Sequence, residues 1–352
     1  MTTATASLLG QMLMLPVDEP RWSSSFVRQL QELAPGGILL REPLPDSPDS
    51  LHDLLRRISQ TLGITPLLAI RVEGGREHPL RPILPELPSA RALGERGPDA
   101  VERCAELLGE ALRLLGFNTD FAPLLDLATP FTEKNLGDRT FGSDPHAVAE
   151  CGAAFIKGLK CQRILACAKH FPGWGSVPPE NAHDLPASGK PMAALWREDL
   201  VPYRELLPEL PMVLVSNAAY KAYDFDPPRP ACLSPRVVDG LLRAKLGYRG
   251  LALAYDLEAE RVRGVLDMGD AAGHAVNAGC DMLLVENGDS GQAMQRAIEE
   301  ALGSSAISRE RLEQSLARIG AVKKGWTPLK GPFPKKAWHK LVGRIEEFNS
   351  GT

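Results

Sequence analysis

DAVERCAELLGEALRLLGFNTDFAPLLDL, residues 99–127, holds one turn of the repeating pattern that decides the fold. In its first part Leu108, Leu112 and Leu115 recur at the spacing of a single buried helical face, and Gly116 is the stop signal. Its second part, NTDFAPLLDL (118–127), is a continuous apolar run of the kind a strand needs when both its faces are covered. The same alternation extends outward in both directions. Strands are expected at GGILL (36–40), PLLAIRV (66–72), RILACAKHF (163–171), PMVLVSNA (211–218), GLALAYDL (250–257) and DMLLVEN (281–287), with QMLMLPV (11–17) as a weaker first strand. Helical patterns lie between them, such as SPRVVDGLLRAKLG (234–247), which opens on Ser-Pro and stops at Gly247. About eight such units predict an α/β chain folded as a single (β/α)8 TIM-type barrel. An open doubly wound sheet is disfavoured because no Gly-x-Gly-x-x-Gly turn follows an early strand. The barrel is expected over residues 8–325, with a helical tail at 326–352 after a Pro/Gly break.

Composition narrows the function classes. The chain has 352 residues, 44% hydrophobic and 24% charged, as in ordinary soluble domains with a large core. A formal charge of −4, without a dense Lys/Arg patch, argues against nucleic acid as a partner. The start, MTTATASLLGQMLMLPVDEP, has no basic n-region and no long apolar span, so neither signal peptide nor membrane anchor is expected and the location expected is cytoplasmic. Cys161 and Cys167, the nearest of the six cysteines to one another, fit neither Cys-x-x-Cys nor a zinc set, and reduced buried thiols are expected. His52, His78, His146, His274 and His339 show no metal-ligand spacing, and neither metal nor other cofactor is expected.

In a barrel, chemistry belongs to the loops at the C-terminal strand ends. Polar residues accumulate there: Arg71, Glu73 and Arg76; Asp126; Lys169 and His170; Asn217; Tyr255 and Asp256; Glu286 and Asn287. Packing alone does not account for such a set, which predicts a polar pocket. Asp138 and Asp144 are expected instead in turn and cap roles, Asp144 before the helical run DPHAVAECGAAF.

The succession EGGR (73–76), FAPLLDL (121–127), GDRTFGSDP (137–145), KHFPGWG (169–175), LSPRVVDGLLRAKLGYRGL (233–251) and AVNAGCDMLLV (275–285) resembles glycoside hydrolase family 3. Within it the likeness is to the single-domain bacterial β-N-acetylglucosaminidases that trim amino sugars from peptidoglycan fragments, the recycling of cell-wall material. That resemblance implies a retaining mechanism, in which an Asp attacks the anomeric carbon while a second group serves as acid and then base. It also implies a saccharide or muropeptide ligand: Arg139, Lys169 and His170 match the family's contacts in place, and Glu73, Trp174 and Arg71 complete the candidate binding set.

Three departures qualify the implied activity. The family nucleophile stands two residues before a leucine; in LALAYDLEAE, Leu257 sets that register and puts Tyr255 in the position, with Asp256 beside it. Strand alternation then directs Asp256 to the opposite face. The acid/base pair Asp-x-His, counted from Gly175, falls on Glu180 and Ala182, with His183 one residue late and Pro178 and Pro179 restricting the loop. Arg71 stands where the family carries an Asp that grips sugar hydroxyls, so an acceptor becomes a donor-only cation; pairing with Glu73 or Asp126 would neutralise it. Trp174 replaces a family His and would either stack on a sugar or fill the vacated space.

Two expectations follow. The favoured one is a member with hydrolysis lost or strongly impaired, which binds a saccharide, a muropeptide or a protein partner through Arg139, Lys169, His170 and Trp174. The alternative is an active retaining β-glycosidase or β-N-acetylhexosaminidase with re-sited groups, Asp256 as nucleophile and Glu180 or His183 as acid/base.

Overall fold

The computed structural model describes residues 8–18, 22–178, 185–259, 262, 268–285, 287–327 and 329–351. Its strands are β1 Leu13–Val17, β2 Gly37–Leu40, β3 Leu67–Ile70, β4 Thr119–Asp120, β5 Leu165–Phe171, β6 Ala187–Ser188, β7 Met212–Val215, β8 Ala219–Tyr220, β9 Leu251–Ala254 and β10 Met282–Leu284. Eight of them close a barrel in the order β1-β2-β3-β4-β5-β7-β9-β10, while β6 and β8 pair separately. Every barrel pairing is parallel. The (β/α)8 expectation therefore holds strand for strand. Nearly all strand residues are buried, as continuous apolar runs require when side chains fill the barrel on one face and meet helices on the other.

The strands are shorter than the apolar runs that encode them, β4 most of all. Pro123 has no N–H for the ladder, and the chain beyond Asp120 follows β5 through only two bonds, Lys169 N to the Pro123 carbonyl at 3.1 Å and Leu125 N to the Lys169 carbonyl at 2.7 Å. The helix Pro98–Leu115 buries Val101, Cys104, Leu108, Leu112 and Leu115, the predicted face, and ends at Gly116 with φ 107°. It packs on the helix Pro145–Cys161, which Asp144 caps through the Ala147 N–H at 2.8 Å. Close approach there depends on Gly158, where a Cβ would come within 2.5 Å of the Glu102 carbonyl. The run expected as a helix at 234–247 is a wider π-helix over Arg236–Lys245, with Gly240 N bonded back to the Pro235 carbonyl at 2.8 Å.

The tail packs on the barrel. Its helix Lys335–Ser350 buries Trp338, Leu341 and Ile345, and Arg344 reaches Glu110 at 2.6 Å. Five of the six cysteines are buried and Cys161 is exposed; all are free thiols. No helix among the described residues is long and apolar enough to cross a membrane.

At the N-terminal end of the barrel lies one fully buried acid. Asp281, at the start of β10, takes Arg243 at 2.5 Å, Arg318 at 2.9 Å and Arg311 at 3.2 Å, and it also accepts from the Ala252 backbone at 3.0 Å and Ser315 at 3.1 Å. The π-helix, the helix Arg309–Lys323, β9 and β10 all meet at this carboxylate. Asp281→Ala leaves those guanidiniums without their buried counter-charge and should lower the unfolding free energy by about 3–5 kcal/mol, read from the urea midpoint at unchanged slope.

Candidate active site at the C-terminal end of the barrel

Two adjoining hollows, of about 280 and 290 Å³, open where β3, β5 and β9 end. Arg71, His170 and Tyr255 line both. The first adds Lys169, Glu77 and Asp256; the second adds Arg139, Asn135 and Trp174. Each lies near the lower bound of small-molecule sites. Pairing of β5 with β7 shifts register between Ala168 and Phe171, so Lys169 and His170 sit in a bulge, a common way to re-aim side chains beside a site. The peptide joining them is cis.

Glu73 does not reach the ligand space. It lines neither hollow; Arg139 Nε and Nη2 each donate to it at 2.7 Å, and Lys169 pairs with it from the other side while also donating to the Phe121 carbonyl. Side-chain exposure is 3% for Glu73, 1% for Lys169 and 12% for Arg139. Burial alone would raise the Glu73 pKa, but the two cations override it and hold the group at about 2. The expected sugar contact is thus a support for two others. Beneath it Asp120 is fully buried, accepts from Val72 N at 2.9 Å, and leaves its Oδ2 without a partner. Burial pushes its carboxyl up to about 8.

Arg71 pairs with neither Glu73 nor Asp126, as the sequence suggested, but with Glu77 at 3.0 Å. Both alternatives were closed by competition: Glu73 is held by Arg139 and Lys169, and Asp126 accepts from His170 N at 3.2 Å, Trp174 N at 2.7 Å and His170 Nδ1 at 2.8 Å. Burial lowers the His170 pKa below its ordinary value despite Asp126. The neutral ring donates through Nδ1, which makes Nε2 the acceptor. The Trp174 ring packs edge-on against His170 at 5.3 Å and lines the second hollow, combining the filling role with access to a ligand.

Tyr255 follows the last residue of β9, and its ring lies 5.3 Å from that of His170. Burial raises its phenol above the usual value of 10. Asp256 corrects the expectation drawn from strand alternation. β9 ends at Ala254, and Asp256 has φ 28°, so the chain has already turned out of the strand and both Tyr255 and Asp256 line the first hollow. Asn217 Nδ2 donates to the Asp256 carbonyl at 3.3 Å.

Glu180, Ala182, His183 and Glu286 lie outside the described residues. The segments flanking 179–184 are firmly held. Thr129 Oγ1 donates to the Gly175 carbonyl at 2.6 Å, Tyr220 OH to the Gly173 carbonyl at 2.7 Å, and Ser176 Oγ meets Ser188 Oγ at 2.7 Å. Asp199 closes against this stretch, since a Cβ at Gly173 would lie 2.6 Å from the Asp199 Cβ. Sequence reasoning missed Glu77, Asp120, Asp199 and Tyr220. Only Glu77 carried a signal, its place beside EGGR; the others sit in apolar or helical runs with no motif. No group of His, Cys, Asp and Glu among the described residues forms a metal site.

Opposite pH behaviour is expected of the two buried acids. The Glu73 pKa is depressed from 4.5 to about 2, so its stabilisation is complete above pH 4.5 and is lost as pH falls towards 2. Glu73→Gln should cost about 3–5 kcal/mol at pH 7 and flatten that acid limb. The Asp120 pKa is raised from 3.8 to about 8, so ionisation in the unfolded chain erodes stability as pH climbs through that window. Asp120→Asn should stabilise progressively across it, measured by urea unfolding at stepped pH.

The profile described as "Glycosyl hydrolase family 3 N terminal domain" matches residues 6–322. A protein named Beta-hexosaminidase from Methylococcus capsulatus is 31% identical over 337 residues, covering 94% of this chain and 97% of its own. Another of that name from Bordetella avium is 34% identical over 261 residues, covering 72% and 73%. Among solved structures, a glycoside hydrolase family 3 β-N-acetylglucosaminidase from Paenibacillus sp. superposes with TM-score 0.86 at 29% identity, over 97% of this chain and 68% of that one. A family 3 glycosyl hydrolase from Mycobacterium smegmatis superposes with TM-score 0.80 at 29% identity, over 95% of this chain and 100% of that one.

Proposed function

This chain belongs to glycosyl hydrolase family 3, and on that premise we propose that it binds a saccharide or muropeptide with hydrolysis lost or strongly impaired. One observation carries the reading: at the position that resembles the family nucleophile, the hollow presents the phenol of Tyr255, which burial keeps protonated at neutral pH. A neutral phenol needs an adjacent base to attack carbon. Glu73 is committed to Arg139 and Lys169, which removes one of the bases that could serve. Loss of the covalent step removes stabilisation that exists only in the transition state, while contacts made equally to the bound sugar survive. Arg139, Lys169, His170 and Trp174 are the groups proposed to make or support those contacts. The name carried by the relatives directs the reading to β-linked amino sugars, and a cytoplasmic place in peptidoglycan recycling is part of the same proposal.

Asp256 supports a second reading. Its presence on the wall of the first hollow is what an active glycosidase with a re-sited nucleophile needs, with Glu180 or His183 as acid/base. Chromogenic N-acetyl-β-glucosaminide and β-glucoside separate the two. The expected outcome is no turnover above background for the natural chain or for Asp256→Ala; turnover that Asp256→Ala abolishes moves the assignment to the second reading. Restoring the family residues by Tyr255→Asp, Ala182→His and Arg71→Asp together should raise hydrolysis by about a hundredfold or more over the natural chain, because nucleophilic and general acid–base groups each act in the transition state.

A further inference from the structure

We propose that the second hollow is a carboxylate subsite, so that the saccharide this chain accepts is an acidic one, a pyranose bearing a carboxylate. The inference rests on the saccharide-binding reading and names the class of sugar. Arg71 and Arg139 both face this hollow, together with His170, Tyr255, Trp174 and Asn135, and no Asp or Glu among the described residues lines it. The carboxylates of the site, Glu42, Glu77 and Asp256, line the first hollow instead. Asp126 lies behind His170, buried and engaged by three hydrogen bonds.

The two guanidiniums are not equally committed. Arg139 gives Nε and Nη2 to Glu73, which leaves Nη1 with only a distant pairing to Glu77 at 3.7 Å. Arg71 has Glu77 as its one ion-pair partner among the described residues, through Nε at 3.0 Å, and its side chain is 48% exposed. One acid, Glu77, thus serves two cations from the edge of the site. A guanidinium is charged at every working pH and presents planar, paired donors that match a carboxylate. A neutral hydroxyl uses one such donor and brings no counter-charge.

The remaining groups fit the rest of a sugar acid. The Tyr255 phenol, kept protonated, can donate a further bond to the same carboxylate. His170 Nε2 accepts from a ring hydroxyl, and Trp174 offers an aromatic wall to a pyranose face. Arg71 is the residue that creates the preference, because two of the three Arg139 nitrogens are already given to Glu73 whereas Arg71 is half exposed and gives only Nε to Glu77.

Isothermal titration of the full chain with D-glucuronate, D-glucose, N-acetyl-D-glucosamine and D-glucose 6-phosphate tests this. Glucuronate should bind about ten- to a hundredfold tighter than glucose, the range expected when a hydrogen bond to a charged group is added. Arg71→Gln should remove that advantage without moving the melting temperature, since the side chain is half exposed, and Arg71→Asp should reverse it. Glucuronate binding no tighter than glucose, while either neutral sugar binds, overturns the acidic subsite and leaves the saccharide reading standing. Binding of none of the four overturns both. Tighter binding of glucose 6-phosphate than of glucuronate overturns the carboxylate in favour of a phosphate, and a glucuronate preference that survives Arg71→Gln overturns the assignment to Arg71.

Discussion

The carboxylate of Glu73 is the constraint on which the open end of the barrel depends. It joins the segment after β3, the turn Gly137–Arg139 and the end of β5 at a place where little water reaches. Without an acid between them, the Arg139 and Lys169 side chains would repel one another and each would carry an uncompensated desolvation cost. With it, both are fixed in direction. Arg139 is left with one nitrogen towards the ligand space, and Lys169 is held against the Phe121 carbonyl. A buried ion network of this kind contributes little net stability over an apolar alternative. What it supplies is placement, and every contact assigned to the hollows inherits its geometry from it. His170 is the second half of the device. Asp126 sets its tautomer and, through the Trp174 backbone, also sets where the next loop starts.

Much of the fold was legible because one signal dominates it. Continuous apolar runs alternating with helices at three- and four-residue spacing allow few architectures, and each of the eight runs became a barrel strand. Strand lengths were less legible: the composition of NTDFAPLLDL says buried, but only Pro123 hints that the ladder stops early. Helix type at 236–245 was illegible, because the same buried residues satisfy α and π winding. In the site, the set of residues at strand ends was readable and their pairing was not. Arg71 had three acids within plausible reach, and choosing Glu77 required knowing that Glu73 and Asp126 were already occupied. Asp256 shows the limit of a local rule. Alternation holds only while the strand lasts, and β9 ends two residues too soon for it.

The two ends of the barrel divide labour along lines that differ in physics. Asp281 gathers three arginines, a serine and a backbone amide at the N-terminal end, away from the two hollows. At the other end Glu77 is shared between Arg71 and Arg139, and the buried Asp120 keeps one oxygen without a hydrogen-bond partner. Substitutions at that end can alter the chemistry while leaving the barrel's main stabilising contacts intact. On the proposed reading, this separation is what lets a chain match its relatives along almost its whole length while its site takes on a different task.

Tyr255 shows how much one such residue can change. A carboxylate there would put a negative charge into the space that Arg71 and Arg139 face, and the two guanidiniums would be drawn to it. A phenol brings no such charge, and its ring packs against His170 on the same wall. On the proposed reading, the preference that the arginines set is for an anion. On that reading, the residue that withholds an attacking group also sets which ligand the site favours, one that brings its own negative charge.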